Sequence, residues 1–166
     1  IHNFYNNHIL NNAVDTHSEK YFELYLLAKQ TKNHRILDLL ITASAGSISG
    51  HATQNENISQ ETLHHMSKHK DPNIRQKVID HPNTTLQTFT HLTKDKSVKL
   101  RRNMAYNTHT PPQILEILSK DKDHTVRCNV AHNNNTPTKV LEKLKTEDTE
   151  DNVRREASTN LHQHKN

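Results

Sequence analysis

The feature that most constrains this chain is a periodicity of 26 residues. Asn55, His81, Asn107 and Asn133 stand 26 apart, and each opens a copy of the same pattern. A Thr or its replacement follows (Ile58, Thr84, Thr110, Thr136), then an apolar pair: Leu63 and Met66, Phe89 and Leu92, Leu115 and Leu118, Leu141 and Leu144. After a polar stretch comes an apolar-Arg step, Ile74-Arg75, Leu100-Arg101, Val126-Arg127 and Val153-Arg154. Four residues beyond each apolar member stand Val78, Met104, Val130 and Ala157. The last copy is one residue longer, with the extra residue between 145 and 152. Repetition at this length is the signature of stacked supersecondary units.

Composition agrees with that reading only once the repeat is recognised. Apolar residues are 31% of the 166, Trp is absent, and mean hydropathy is −0.97. Leu, Ile, Val and Phe together number 36, close to the roughly 20% floor below which a chain reads as disordered. Disordered chains are rich in Pro and Gly or strongly charged; this one has five Pro, two Gly and a net charge of +4. So few turn residues also exclude a sandwich or barrel, which needs a turn every 8–12 residues or so. The expectation is all-α.

Each copy divides into two short helices. Thr84, Thr110 and Thr136 are placed as N-caps of the first, with Gln87 and Gln113 completing capping boxes and Pro111 and Pro137 at the first helical position. In the first copy Ile58 cannot cap, which leaves Asn57 or Ser59. The first helix runs about ten residues, with 62, 63 and 66 and their counterparts as its apolar stripe. Such a helix is unstable alone in water, so the units must stack. In the second helix, winding at roughly 100° per residue puts 74, 78 and 79 around an inner arc with Arg75 between them. It turns 76 and 80 outward and leaves 77 at the flank.

The run Thr110-Pro111-Pro112-Gln113-Ile114-Leu115-Glu116-Ile117-Leu118-Ser119-Lys120-Asp121, then Val126-Arg127-Cys128-Asn129-Val130-Ala131-His132-Asn133, resembles the bacterial leucine-rich repeat variant, a HEAT-like helical repeat. The likeness covers about 55–160. It implies a right-handed helical-repeat solenoid of short paired helices, α and partly 3-10. Some members of that family carry an N-terminal cysteine-ligated iron–sulfur segment; with Cys128 as its single cysteine, this chain lacks the ligands, and no cofactor is expected. Four repeats are assigned to 55–80, 81–106, 107–132 and 133–160 within 55–166. Residues 1–54 form an N-terminal helical cap and a degenerate repeat, with Leu37, Leu40, Ile48 and Ala52 at the apolar positions and Ser49 in place of Arg. Gly46 and Gly50 suggest a wider turn or hinge there, and Tyr21, Phe22, Tyr25 and Ala28 a capping helix over 18–30. Residues 161–166 form a polar tail.

Four sets of residues bear on function. Arg75, Arg101, Arg127 and Arg154 would form a phosphate ladder spaced roughly 10 Å apart, but an inner-arc position and upstream acids (Asp71, Asp95, Asp121 or Asp123, Asp148 or Asp151) favour pairing within or between repeats. Among 15 histidines, His65 and His69 with His64 share a helix face, yet spacing supplies no third ligand and no metal site is assigned. Cys128 has His124 one turn upstream but no orienting third group, and no enzyme motif occurs; a non-enzyme is expected. The outward ridge of second helices is the candidate partner surface: Gln76, Arg102, Cys128 and Arg155 in one row, Asp80, Tyr106, His132 and Thr159 in the next, with Lys77, Asn103, Asn129 and Glu156 flanking.

The leading expectation is a non-catalytic protein–protein interaction scaffold binding an unidentified protein through that concave ridge. The alternative is a nucleic-acid-binding solenoid using the basic excess, since 55–166 holds 18 basic and 14 acidic residues and the pI is near 9.2. Apolar stretches such as 24–28 and 36–43 are far shorter than the roughly 20 residues of a bilayer span, so no membrane is expected. No secretory leader is seen, and the chain begins at Ile1. A soluble, cytoplasmic monomer is favoured.

Overall fold

A computed structural model describes residues 19–43 and 47–163. Among them are eleven α-helices and no strand or 3-10 segment, so the chain is all-α. It divides into two compact units at residues 83 and 84. The first contains α1 (Glu19–Gln30), α2 (His34–Ala43), α3 (Ser47–Ala52), α4 (Gln60–Met66) and α5 (Pro72–Ile79). The second contains α6 (Leu86–Leu92), α7 (Val98–Tyr106), α8 (Pro112–Leu118), α9 (His124–His132), α10 (Thr138–Glu147) and α11 (Asp151–Gln163). Gly46, residues 1–18 and residues 164–166 lie outside the described residues, as do the side chains of Tyr21 and Ser49.

In the second unit α7, α9 and α11 pack side by side in order, while α8 packs on α6, α7 and α9, and α10 on α11. The buried positions follow the 26-residue pattern. Phe89 and Leu92, Ile114, Leu115 and Leu118, and Leu141 and Leu144 come from first helices; Leu100, Met104, Val126, Val130, Val153 and Ala157 come from second helices. Each contributes roughly 1.5–3 kcal/mol of transfer free energy for the larger side chains, and neighbouring helices supply the apolar cover that a seven-residue helix cannot provide for itself. In the first unit Leu37, Leu40, Ile48 and Ala52 are buried, as are Leu63, Met66, Ile74 and Val78.

The helix starts fall one residue later than expected. Ser59 and Thr85 are N-caps, accepting from the Thr62 and Thr88 amides at 3.0 and 3.3 Å, whereas Pro111 and Pro137 sit at the cap position and Pro112 is the first helical residue of α8. Gln87 and Gln113 are exposed and make no capping box. Thr110 and Thr136 instead face backward: each buried hydroxyl donates to the carbonyl six residues earlier, Met104 and Val130, at 2.6 Å. They tie off the end of the preceding second helix.

Gly50 is not a hinge. It lies inside α3, and a Cβ there would stand 3.3 Å from Lys77 Cε, so the missing side chain makes room for the lysine stem. The extra residue of the last copy is absorbed by α10. Leu118 and Leu144 occupy equivalent buried sites 26 apart, but Asp121 and Asp148, which play the same part in ion pairs, are 27 apart. The ten-residue α10 replaces the seven-residue first helix of earlier copies.

Asparagines at the repeat boundary form a second recurring system. Asn55 Nδ2 donates to the Ala28 and Thr31 carbonyls, Asn133 Nδ2 to those of Ala105 and Asn107, and Asn160 Nδ2 to those of Ala131 and Asn133, all at 2.7–3.1 Å. All three side chains are buried. His81 takes the same place with different chemistry. The Asn83 amide donates to its Nδ1 at 3.1 Å, which puts the ring proton on Nε2, facing the Asn55 carbonyl at 3.2 Å. Burial pushes the His81 pKa down, against smaller opposing effects of the Asn55 carbonyl and Glu56.

Candidate functional site

The four repeat arginines are structural, and each is held the same way. Arg75, Arg101, Arg127 and Arg154 donate through Nη1 to the carbonyl six residues upstream, at His69 (2.7 Å), Asp95 (2.6 Å), Asp121 (2.9 Å) and Asp148 (2.5 Å). Asp95, Asp121 and Asp148 therefore bind through their backbone oxygen, whereas in the first copy His69 and Lys70 supply the carbonyls in place of Asp71. Carboxylates come from the following copy: Arg101 forks onto Asp121 at 2.6 and 3.1 Å, and Arg127 onto Asp148 at 2.7 and 2.9 Å. Arg154, in the last copy described, pairs with Asp151 on its own helix. Burial works to raise the Asp121 and Asp148 pKa values, but the guanidinium and turn-amide hydrogen bonds outweigh it and hold both carboxyls below the usual range.

Most of the ridge residues are tied down by their neighbours. Arg102 points outward but is forked onto Asp123, the N-cap of α9, at 2.8 and 2.9 Å. That hydrogen bond, chiefly, lowers the Asp123 carboxyl to about 2. Asn129 donates to the Arg102 carbonyl at 3.0 Å, and Arg155 to Asn152 on its own helix at 2.7 Å. In the first unit Gln76 donates to Asp80 at 3.2 Å, and the Lys77 stem lies over Gly50. Asn103 is exposed.

Tyr106, His132 and Glu156 are brought together. The Tyr106 and His132 rings stack with centroids 5.8 Å apart and planes 6° from parallel, and His132 Nδ1 lies 2.6 Å from Glu156 Oε1. Tyr106 is 62% exposed. Large apolar surface is normally hidden, so an exposed aromatic ring fixed by its neighbours is a feature of binding surfaces. The identical outward step of Tyr106 and His132, 26 residues apart, was legible in sequence; the contact of Glu156 with His132 was not, because it depends on how α11 is set against α9.

Cys128 and the histidines are the other groups with candidate chemistry. Cys128 is half-buried; burial first, then Glu156 and Asp148, push its thiol pKa up, the reverse of what activates a nucleophile. Among the described residues no group of three or more His, Cys, Asp or Glu side chains could hold a metal. His69 Nδ1 accepts from the Asp71 amide at 3.0 Å. No helix among the described residues is long and apolar enough to cross a membrane.

No protein-family model matches the chain, and no curated protein matches it. Among solved structures, it is similar to an engineered protein from the Northeast Structural Genomics Consortium, at 16% identity and a TM-score of 0.36 over 95% of each chain.

Proposed function

We propose that the chain is a leucine-rich-repeat-variant-like, HEAT-like solenoid that acts as a non-catalytic scaffold and binds another protein through the ridge of its second helices. The observation that carries this reading is the Tyr106, His132 and Glu156 cluster. It presents an aromatic side chain whose rotamer is already restrained by a stacked ring, which lowers the ordering cost of binding. Around it stand polar groups of both signs: Arg102 with Asp123, His132 with Glu156, and Arg155. Such a mixture matches a shaped protein surface better than a uniform polyanion. Arg101, Arg102 and Arg127 all face carboxylates, which leaves the ridge little unbalanced positive charge for phosphate.

The experiment is site-specific photo-crosslinking in the source cell, with the probe at Asn103 on the ridge or at Glu142, exposed on α10. A discrete protein adduct from position 103 that Tyr106→Ala weakens by roughly ten-fold supports the reading. The same adducts from both positions, or adducts indifferent to Tyr106→Ala, would overturn it.

A further inference from the structure

The turns that join first to second helices in the second unit repeat one motif. Residues 93–97 read Thr-Lys-Asp-Lys-Ser and residues 119–123 read Ser-Lys-Asp-Lys-Asp. In both, the central aspartate folds inward. Asp95 Oδ1 accepts from the Ser97 amide at 2.8 Å and Asp121 Oδ1 from the Asp123 amide at 2.9 Å, while Arg101 also grips both Asp121 oxygens. The flanking Lys94, Lys96, Lys120 and Lys122 are left exposed, and none forms an ion pair among the described residues. The first unit carries the same arrangement at 67–71, Ser-Lys-His-Lys-Asp, with Lys68 and Lys70 exposed. In the last copy it reverses: Glu147, Glu150 and Asp151 are the exposed charges.

Between the turns at 93–97 and 119–123 lies an open cleft of about 450 Å³. Its charged lining is Lys94, Lys96, Lys122 and Arg101 against Asp95 and Asp121. Since Arg101 and Asp121 neutralise each other at 2.6 Å, the remaining charge is positive. No apolar side chain lines the cleft, so it lacks the aromatic or aliphatic anchor on which a protein interface depends. Lysine ammonium groups on flexible stems are, however, well suited to phosphate oxygens.

We propose that the turn edge carrying Lys94, Lys96 and Lys122 binds the phosphodiester backbone of a nucleic acid, as a surface separate from the ridge of second helices. The repeated inward fold of the aspartates, which leaves their lysine neighbours outside, is the juxtaposition that supports it. The inference does not rest on the protein-binding reading.

The test is fluorescence anisotropy of a short labelled oligothymidylate, and in a second arm a short duplex, across a series of salt concentrations. Each phosphate neutralised adds roughly 0.7 (single strand) or 0.9 (duplex) to the slope of log affinity against log salt. The K94Q/K96Q/K122Q variant should therefore lose about 2 from the slope if the single strand binds, or about 2.7 if the duplex does. The charge-matched K139Q/K143Q/K145Q variant, altered on α10, should keep the wild-type slope, as should Tyr106→Ala. Among the described residues these six lysines make no ion pair beyond an exposed Lys143 contact with Glu147, so circular dichroism should show both triple variants folded. Absence of salt-dependent binding in both arms, equal loss in the two triple variants, or a polyglutamate peptide binding as tightly as either nucleic acid would overturn the proposal.

Discussion

Arg127 reaches from α9 to Asp148, at the end of α10, and closes a two-pronged ion pair with Nε–Oδ2 at 2.7 Å and Nη2–Oδ1 at 2.9 Å, while its remaining nitrogen holds the Asp121 carbonyl. One side chain thus joins two successive copies and the turn before its own helix. The side chains are 14% and 4% exposed, which takes the pair out of the weak surface class.

Arg127→Ala leaves Asp148 buried without its cation, and breaking such a pair costs about 3 kcal/mol. For a unit of this size that lowers Tm by roughly 10–20 °C. The Arg127→Ala/Asp148→Ala double variant should melt higher than Arg127→Ala alone, since no orphaned charge remains. Calorimetry of both decides it; a single variant with wild-type Tm contradicts the structural role.

Asn133→Ala removes two hydrogen bonds from its amide and leaves the Ala105 carbonyl without that partner, while the Asn107 carbonyl keeps the Thr110 amide. A loss of about 2 kcal/mol is expected in urea denaturation. Asn133→Asp should be worse, because a carboxylate then faces two carbonyl oxygens.

His81 must be neutral to accept from the Asn83 amide while donating to Asn55. Its folded pKa lies below the ordinary 6.5, so the unfolded chain binds the proton more readily. Its contribution is fully present above pH 6.5 and is lost as the pH falls from there toward the folded value. Melting curves over that window should drop more steeply for the wild type than for His81→Asn, which keeps an acceptor and a donor that do not titrate.

Asp123 should titrate near 2 by carboxyl NMR, and Arg102→Gln should move it back toward 3.8. Since the lowered pKa belongs to the folded state, the associated stability is present above the unfolded value and fades as pH falls toward 2. Both partners are partly exposed, so the effect on stability is small.

Cys128 should alkylate slowly. With its thiol pKa raised by burial and by Glu156 and Asp148, less thiolate is present at pH 8 than in a free cysteine. Glu156→Gln should speed iodoacetamide labelling modestly; a rate at or above that of free cysteine would contradict the assignment.

The apolar register was readable because burial obeys helical winding: 63, 66, 74 and 78 and their counterparts are inside. Directions of polar side chains were not. Thr110 can cap forward or backward within a few residues, and nothing in Thr-Pro-Pro distinguishes the two; the structure sends it back to Met104. Asp121 and Asp123 looked like alternatives for one arginine, yet they serve two, Arg101 and Arg102. Pairing across copies depends on the separation of layers, which a linear spacing does not encode. The Lys-Asp-Lys spacing is plain in the sequence, but the inward fold of the aspartates onto the Ser97 and Asp123 amides is not.

The boundary asparagines also impose a direction on assembly. The Ala105 carbonyl is satisfied by Asn133, and the Ala131 carbonyl by Asn160, 28 and 29 residues later. During synthesis, α7 and α9 therefore each emerge with an acceptor that stays open to water until most of another copy has left the ribosome. In the second unit these two copies are completed by the ones that follow them, so the polar backbone there closes one copy behind the growing end.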